Sequence, residues 1–390
     1  MRKLFSILLA AVFTVALLGS SMTVFAEEEA PKASVVTGRN DDSAAKVPEY
    51  IGEALEEPEN VNPLTGLDGY NTEAIGKRPV AVMINNHPNS YPQYNIGQAD
   101  VIFEVVVEHT LTRMLAMFAD YTDVPYLVSV RSYRYYFPAI SQAFDAFYIH
   151  WGEDQTMMWY YEELGLDAYD GLSNTYLFGR DQDRLNAGYD LEHTSCFYGS
   201  LLPDQLGWDN KRTDLQEEYL GDAFNFVPFG TVRIPGGQEC RFVDIQFGQQ
   251  TAQFTYDEDK GVYLKYANEN PQIDGISGEQ LEFENVLVLY TLIFDREEDE
   301  ADRKFLNVFG GTDTDYAVGY YASEGSVQKI KWGRAEYDED ADYGVNERSR
   351  FKFYDEDGNE IDINRGKTYI AFTYSDTATV SDTIPEQYLP

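Results

Sequence analysis

Pro79-Val80-Ala81-Val82-Met83-Ile84-Asn85-Asn86 is a nearly continuous apolar run closed by polar turn residues. That pattern predicts a short strand buried on both faces. Ala99 to Glu108 is rich in β-branched residues and reads as a second strand. Leu111 to Phe118 reads as its hairpin partner, with a turn near His109-Thr110; a helix is the competing reading. Tyr126 to Val130 and Ala146 to Trp151 are further strand candidates. Between them, Ser132 is a good N-cap for a short helix over Tyr133 to Phe144. Pro138 requires that helix to be short, kinked or started later. Gln155 to Leu164 reads as helical. The mixture predicts an α/β N-terminal domain, a mixed sheet with short helices.

Near residue 226 the texture changes. Phe254 to Tyr263 and Phe351 to Ile361 each place aromatic strand residues around an acidic turn, and Asp357-Gly358 is a strong hairpin signal. Asn285 to Tyr290 is another strand candidate. The second domain is therefore expected to be mostly β. The expected organisation is a signal peptide over 1–26, an acidic flexible linker over 27–60, the α/β domain over 61–225, the β-rich domain over 226–375 and a tail over 376–390.

The two ends of that division rest on composition. Arg2 and Lys3, the apolar run from Leu4 to Leu18 and the Val24-Phe25-Ala26 ending read as a secretory signal. The run is short for a membrane span, which needs ~20 residues. Ser20 follows Leu17-Leu18-Gly19 where a lipid-anchored protein would carry a cysteine, so no lipid anchor is expected. Residues 27 to about 60 are rich in Glu, Ala, Pro, Asp and Ser without an apolar period. The formal net charge of -38 repels nucleic acid and anionic membranes at long range. Cys196 and Cys240 could pair or stay as buried thiols, and two cysteines make no disulfide framework.

Several unlinked motifs then occur in order: Arg78 to Asn86, Gln98 to Glu108, Thr112-Arg113, Val130-Arg131-Ser132-Tyr133-Arg134, Asn285 to Val288, Tyr354 to Ile361 and Gly366-Lys367-Thr368. Together, over roughly residues 60 to 375, they resemble the YerB-like family of exported bacterial proteins of unknown function. The resemblance implies a Gram-positive-type envelope protein with an α/β N-terminal part and a β-rich C-terminal part. Many members resemble lipoproteins; this chain departs from them in lacking the lipobox cysteine. The resemblance implies no particular chemistry.

Candidate chemistry gathers in the first half. On a strand, Asp100, Glu104 and Glu108 would share a face with Ile102 and Val106 between them. Glu104 and Glu108 are the candidate catalytic pair, since paired carboxylates serve as acid and base or hold a hard cation. The competing reading is a solvated strand face paired with Arg113 and Arg131. Arg113, Arg131 and Arg134 near a helix N-terminus form a candidate anion site. Asp100, Asn85 and His150 complete the candidate ligand-binding set. Here the competing reading is internal pairing of the arginines with Glu104 and Glu108. His150 could act as a base and Trp151 could stack on a sugar, although a histidine among apolar residues is also a plain core residue.

His87, His109, His150 and His193 show no zinc spacing, and neither metal nor cofactor is expected. The acidic runs Asp338 to Asp342 and Asp355 to Gly358 read as solvated turns rather than calcium loops. The resulting expectation is an exported binding or accessory module for cell-wall glycan or peptide, or for an envelope protein. The alternative is an enzyme acting on wall glycans or phosphate-linked wall polymers. Nucleic acid is not an expected partner, nor is the chain expected to be an integral membrane protein after signal cleavage.

Overall fold

The computed structural model describes residues 47–155, 165–296, 302–311, 317–334 and 349–389. The signal-peptide candidate, the expected helix after Gln155 and the acidic run at Asp338 lie outside the described residues. Among those described, no helix is long and apolar enough to cross a membrane.

The fold is mostly β with a few short helices. An 11-stranded central sheet runs Gln238–Glu239, Ser326–Gly333, Val318–Ser323, Asn285–Tyr290, Thr368–Thr373, Val101–Val106, Thr112–Phe118, Val80–Asn85, Phe147–His150 and Ala168–Asp170, with Lys352–Tyr354 also paired to Ser326–Gly333. Both halves of the chain build it. Thr368–Thr373 pairs in parallel with Val101–Val106, Tyr369 opposite Ile102 and Ala371 opposite Glu104.

Apolar runs suit these strands because both faces of the sheet are covered. Val80, Val82 and Ile84 enter one core, while Ala81 and Met83 enter the other. The same alternation divides Leu287 and Leu289 from Val286 and Val288. One face packs on helix Tyr136–Gln142, buried along its whole length. The other packs on a six-stranded sheet that includes Phe242–Gln246, Thr251–Asp257, Val262–Ala267 and Ala378–Ser381. There the Phe254 and Phe283 rings meet Tyr369 at 4.7 and 5.6 Å.

Several expectations need correction. The helix begins at Tyr136, and its N-cap is Tyr135 without a side-chain cap bond; Ser132 instead accepts from Arg113. Pro138 falls in the first turn, where its missing N–H has no helical acceptor to lose. Beyond this helix, the described α-helices of the first half are the short Gln182–Ala187 and Leu202–Trp208. The expected linker is ordered at its end: Glu49–Gly52 pairs antiparallel with Thr231–Ile234. Its residues are exposed, so no apolar period marks it. The expected tail also joins a sheet, with Ala378–Ser381 paired to Phe242–Gln246. Cys196 and Cys240 are both buried free thiols.

Candidate functional site

The strand directions bring the charged residues to one edge. Val80–Asn85, Phe147–His150 and Ala168–Asp170 are mutually parallel. Thr112–Phe118 runs against both Val80–Asn85 and Val101–Val106, which therefore share a direction. Asn85, Val106, His150 and Asp170 end their strands along the same side, and Thr112-Arg113 begins there. In open α/β sheets this carboxyl edge is where ligands bind, an analogy of architecture rather than of chemistry.

Asp100, Glu104 and Glu108 do not form one carboxylate row. The strand covers only Val101–Val106, so Asp100 and Glu108 lie beyond its two ends. Asp100 accepts from the Ala119 N–H at 2.7 Å and from Asn62 Nδ2 at 2.8 Å. Glu104 points inward and is 1 % exposed. It accepts from Asn86 Nδ2 at 2.9 Å, Thr112 Oγ1 at 2.8 Å and the Tyr369 hydroxyl at 2.8 Å, and it pairs with Lys265 at 3.2 Å. With its oxygens so engaged and sealed, Glu104 holds the two halves together; a role as acid or base is not what this geometry supports. Glu108 instead pairs with Arg113 at 3.1 Å and with Arg134.

Arg113 also donates to the Ser132 carbonyl and hydroxyl. Burial, together with nearby Arg131, pulls its guanidinium down to about 9, so it stays charged at neutral pH. Beside this network Asp154, 0 % exposed, pairs with Arg296 at 2.6 Å and Arg303 at 3.4 Å. Arg296 and Arg303 enter from the second half, and sequence reasoning missed them because nothing local ties them to residue 154. Thus Arg113 and Arg134 do meet Glu108, largely as internal pairing.

Arg131 leaves that network. Its backbone is stitched between Met83 and Trp151: the Arg131 N–H donates to the Met83 carbonyl at 3.0 Å, and the Trp151 N–H to the Arg131 carbonyl at 3.1 Å. Its side chain opens into a pocket of about 380 Å³ lined by Val130, Arg131, Trp151, Arg180, Leu191, Glu192 and Ser195. The opposite wall is a three-stranded sheet in which Arg180 pairs with Ser195. Arg180 lies 4.2 Å over the Trp151 ring, a cation–π contact. Trp151 is thus a platform for Arg180 rather than an open face for sugar stacking. Gly171 permits the arrangement, since a Cβ there would come within 2.5 Å of the indole.

Among the described residues, two guanidinium groups share this pocket with one carboxylate, Glu192, which binds Arg131 at 2.8 Å. Burial and the like charge of Arg131 lower the Arg180 pKa. Burial pushes Glu192 up, but Arg131, His193 and His87 more than offset this and leave it below its ordinary value. Asn85 Nδ2 donates to His193 Nδ1 at 3.0 Å, leaving Nε2 to face Glu192 at 3.6 Å. Burial, aided by His87 and Arg131, lowers the His193 pKa, so this imidazole is neutral at pH 7. His150 stands apart, between the Tyr133 and Tyr148 rings, with Nδ1 bonded to the Gly152 carbonyl at 3.0 Å. Burial lowers it to about 4.

Residues 64–194 match the family described as "Protein of unknown function (DUF3048) N-terminal domain", and residues 243–370 match its C-terminal domain. The chain is 26% identical over 279 residues to "Putative lipoprotein YerB" of Bacillus subtilis (strain 168), covering 69% of this chain and 77% of that protein. The crystal structure of YerB protein from Bacillus subtilis superposes with a TM-score of 0.68 at 22% identity, over 83% of this chain and 100% of that one, which shows a shared fold. With both parts matched in order, the chain belongs to the YerB-like DUF3048 family, whose function is unknown.

Proposed function

We propose that this protein is a non-catalytic cell-envelope module that holds a carboxylate-bearing wall glycan or peptide in the Arg131–Arg180 pocket. One observation carries the reading: among the described residues, two guanidinium groups open into the same concavity against a single carboxylate. Arginine forks suit carboxylates, and a bound anion would relieve the repulsion between the two cations. The carboxyl-edge position supports the same reading. An envelope address is supported by the lipoprotein description of the relative, and export through Met1 to Ala26 is part of the proposal. The chain has Ser20 where a lipidated cysteine would stand, so release without a lipid anchor is proposed with it. Fractionation of expressing cells, with intact mass of the exported chain, checks both points.

Retention of the purified protein on sedimented peptidoglycan tests the binding. Wild type should co-sediment, and Arg131→Ala with Arg180→Ala should abolish it. Absence of wild-type retention would overturn the proposal, as would undiminished retention of the double variant. Retention on envelope membranes alone would redirect it to a protein partner. Glu108→Gln should release the same muropeptide profile as wild type, with no new products from either. Products that depend on Glu108 would establish the glycan-cleaving alternative.

A further inference from the structure

The six-stranded sheet carries a second concavity, of about 420 Å³, that shares no lining residue with the Arg131–Arg180 pocket. Residues of strands Phe242–Gln246 and Thr251–Asp257 and of the turn Glu386–Tyr388 line it. Its aromatic part is fixed. Phe242 and Tyr388 stand 5.0 Å apart at 37°, and Tyr266 meets Tyr388 edge-on at 5.0 Å.

Its polar part is a set of pre-oriented amides. Asp244 accepts from Gln246 Nε2 at 2.7 Å on one oxygen and from Gln253 Nε2 at 2.9 Å on the other. Gln253 Oε1 accepts from the Glu269 N–H at 3.1 Å, so both ends of this amide, in a residue 2 % exposed, are held. Asn268 Oδ1 accepts from the Thr251 N–H at 3.0 Å, which leaves its amino group as a donor. Gln387 adds a further amide at the rim.

The chemistry of this lining narrows the ligand. Among the described residues, no lysine, arginine or histidine lines the cavity, and Asp244 with Glu269 would repel a carboxylate or phosphate. A bare cation would have to compete for Asp244 oxygens already taken by two amides. A wholly apolar ligand would strip water from the amides without replacing it. Neighbouring sugar hydroxyls both donate and accept, which matches fixed amides, while the C–H face of a pyranose suits the edges of Phe242 and Tyr388, each 7 % exposed in the lining. The volume lies within the ~300–1,000 Å³ typical of small-ligand sites. We infer that this concavity binds an uncharged, hydroxyl-rich sugar unit of a glycan. The site stands on its own residues, so it holds or fails independently of the arginine pocket.

Isothermal titration of the purified full chain with tetra-N-acetylchitotetraose and with maltotetraose tests it. At least one sugar should give saturable heat. Asp244→Ala, which releases both amides, should weaken that binding by about tenfold or more. Gln387→Ala at the rim should weaken it by about threefold while leaving the thermal midpoint unchanged, which keeps the test valid if Asp244→Ala unfolds. Arg180→Ala should leave it unchanged. No heat with either sugar would overturn the inference. Binding that survives the Gln387 and Asp244 changes would do the same, as would heat from lysine amide where the neutral sugars give none.

Discussion

Lys265→Met tests whether the Glu104 cluster is a structural clasp. The Lys265 ammonium is wholly buried, 3.2 Å from Glu104 and 2.6 Å from Gln272 Oε1. It also sits 5.3 Å from the Tyr369 ring centre. Burial lowers the Lys265 pKa, against the pull of Glu104. Removing one partner of such a pair strands the other charge out of water, at a cost of about 3–5 kcal/mol. Met matches the length of the stem, so little of the loss comes from an empty cavity. The assay is equilibrium urea unfolding at pH 7 followed by tryptophan fluorescence, for which buried Trp332 is a suitable reporter. Adding Glu104→Gln should restore part of the loss, because no charge is then stranded, and the cycle should show a coupling of about 2 kcal/mol. A loss below about 1 kcal/mol, or two changes that add within about 0.5 kcal/mol, would refute the clasp.

Three further outcomes follow from the electrostatics. Burial pushes the Asp100 carboxyl up to about 6. Between its ordinary value of 3.8 and about 6 the folded chain keeps a proton that the unfolded chain has lost, so this group's contribution to stability declines as pH rises through that window. Carbon-detected NMR should place its midpoint near 6, and a midpoint in the ordinary carboxylate range would contradict the assignment. His150 acts in the opposite sense: its pKa of about 4 means that its contribution is full above the ordinary 6.5 and is lost as pH falls toward 4. An imidazole titration near 6.5 in the folded protein would contradict its burial. With a net charge of -38, the chain repels an anionic wall polymer beyond the pocket. Salt shortens that repulsion to a Debye length of about 8 Å at 0.15 M, so peptidoglycan retention should not fall between low salt and this level; a steep fall would contradict the balance.

The strands were legible where both of their faces are buried. Val80–Asn85 and Asn285–Tyr290 announce themselves as continuous apolar runs because each face meets a core. Glu49–Gly52 gives no such signal, since it pairs through its backbone while its side chains remain in solvent. Site residues were legible only within one stretch. Arg131 and Trp151 were recognisable as candidates, but Arg180 and Glu192 join them through a separate sheet, and no short spacing encodes that. The carboxylate row failed because Glu108 falls after the strand has ended at Val106, where the i, i+4 rule no longer fixes its side.

The two family-defined parts are also less independent than their order along the chain implies. A fragment ending near residue 225 would lose Lys265 and Tyr369 from Glu104, and Arg296 and Arg303 from Asp154. It would also expose Val101–Val106 as an unpaired edge after removal of Thr368–Thr373. Each stranded buried acid costs about 3–5 kcal/mol, and together they rival the ~5–15 kcal/mol that holds a typical domain folded. The fragment should therefore be insoluble or lack a cooperative transition. The intact chain should unfold in one step, with fluorescence and far-UV circular dichroism coincident, because the sheet cannot lose one half without breaking the parallel pairing of Tyr369 with Ile102. A soluble fragment with native-like amide protection would show that the first half folds without its partners, and the clasp role of Glu104 would fall with it.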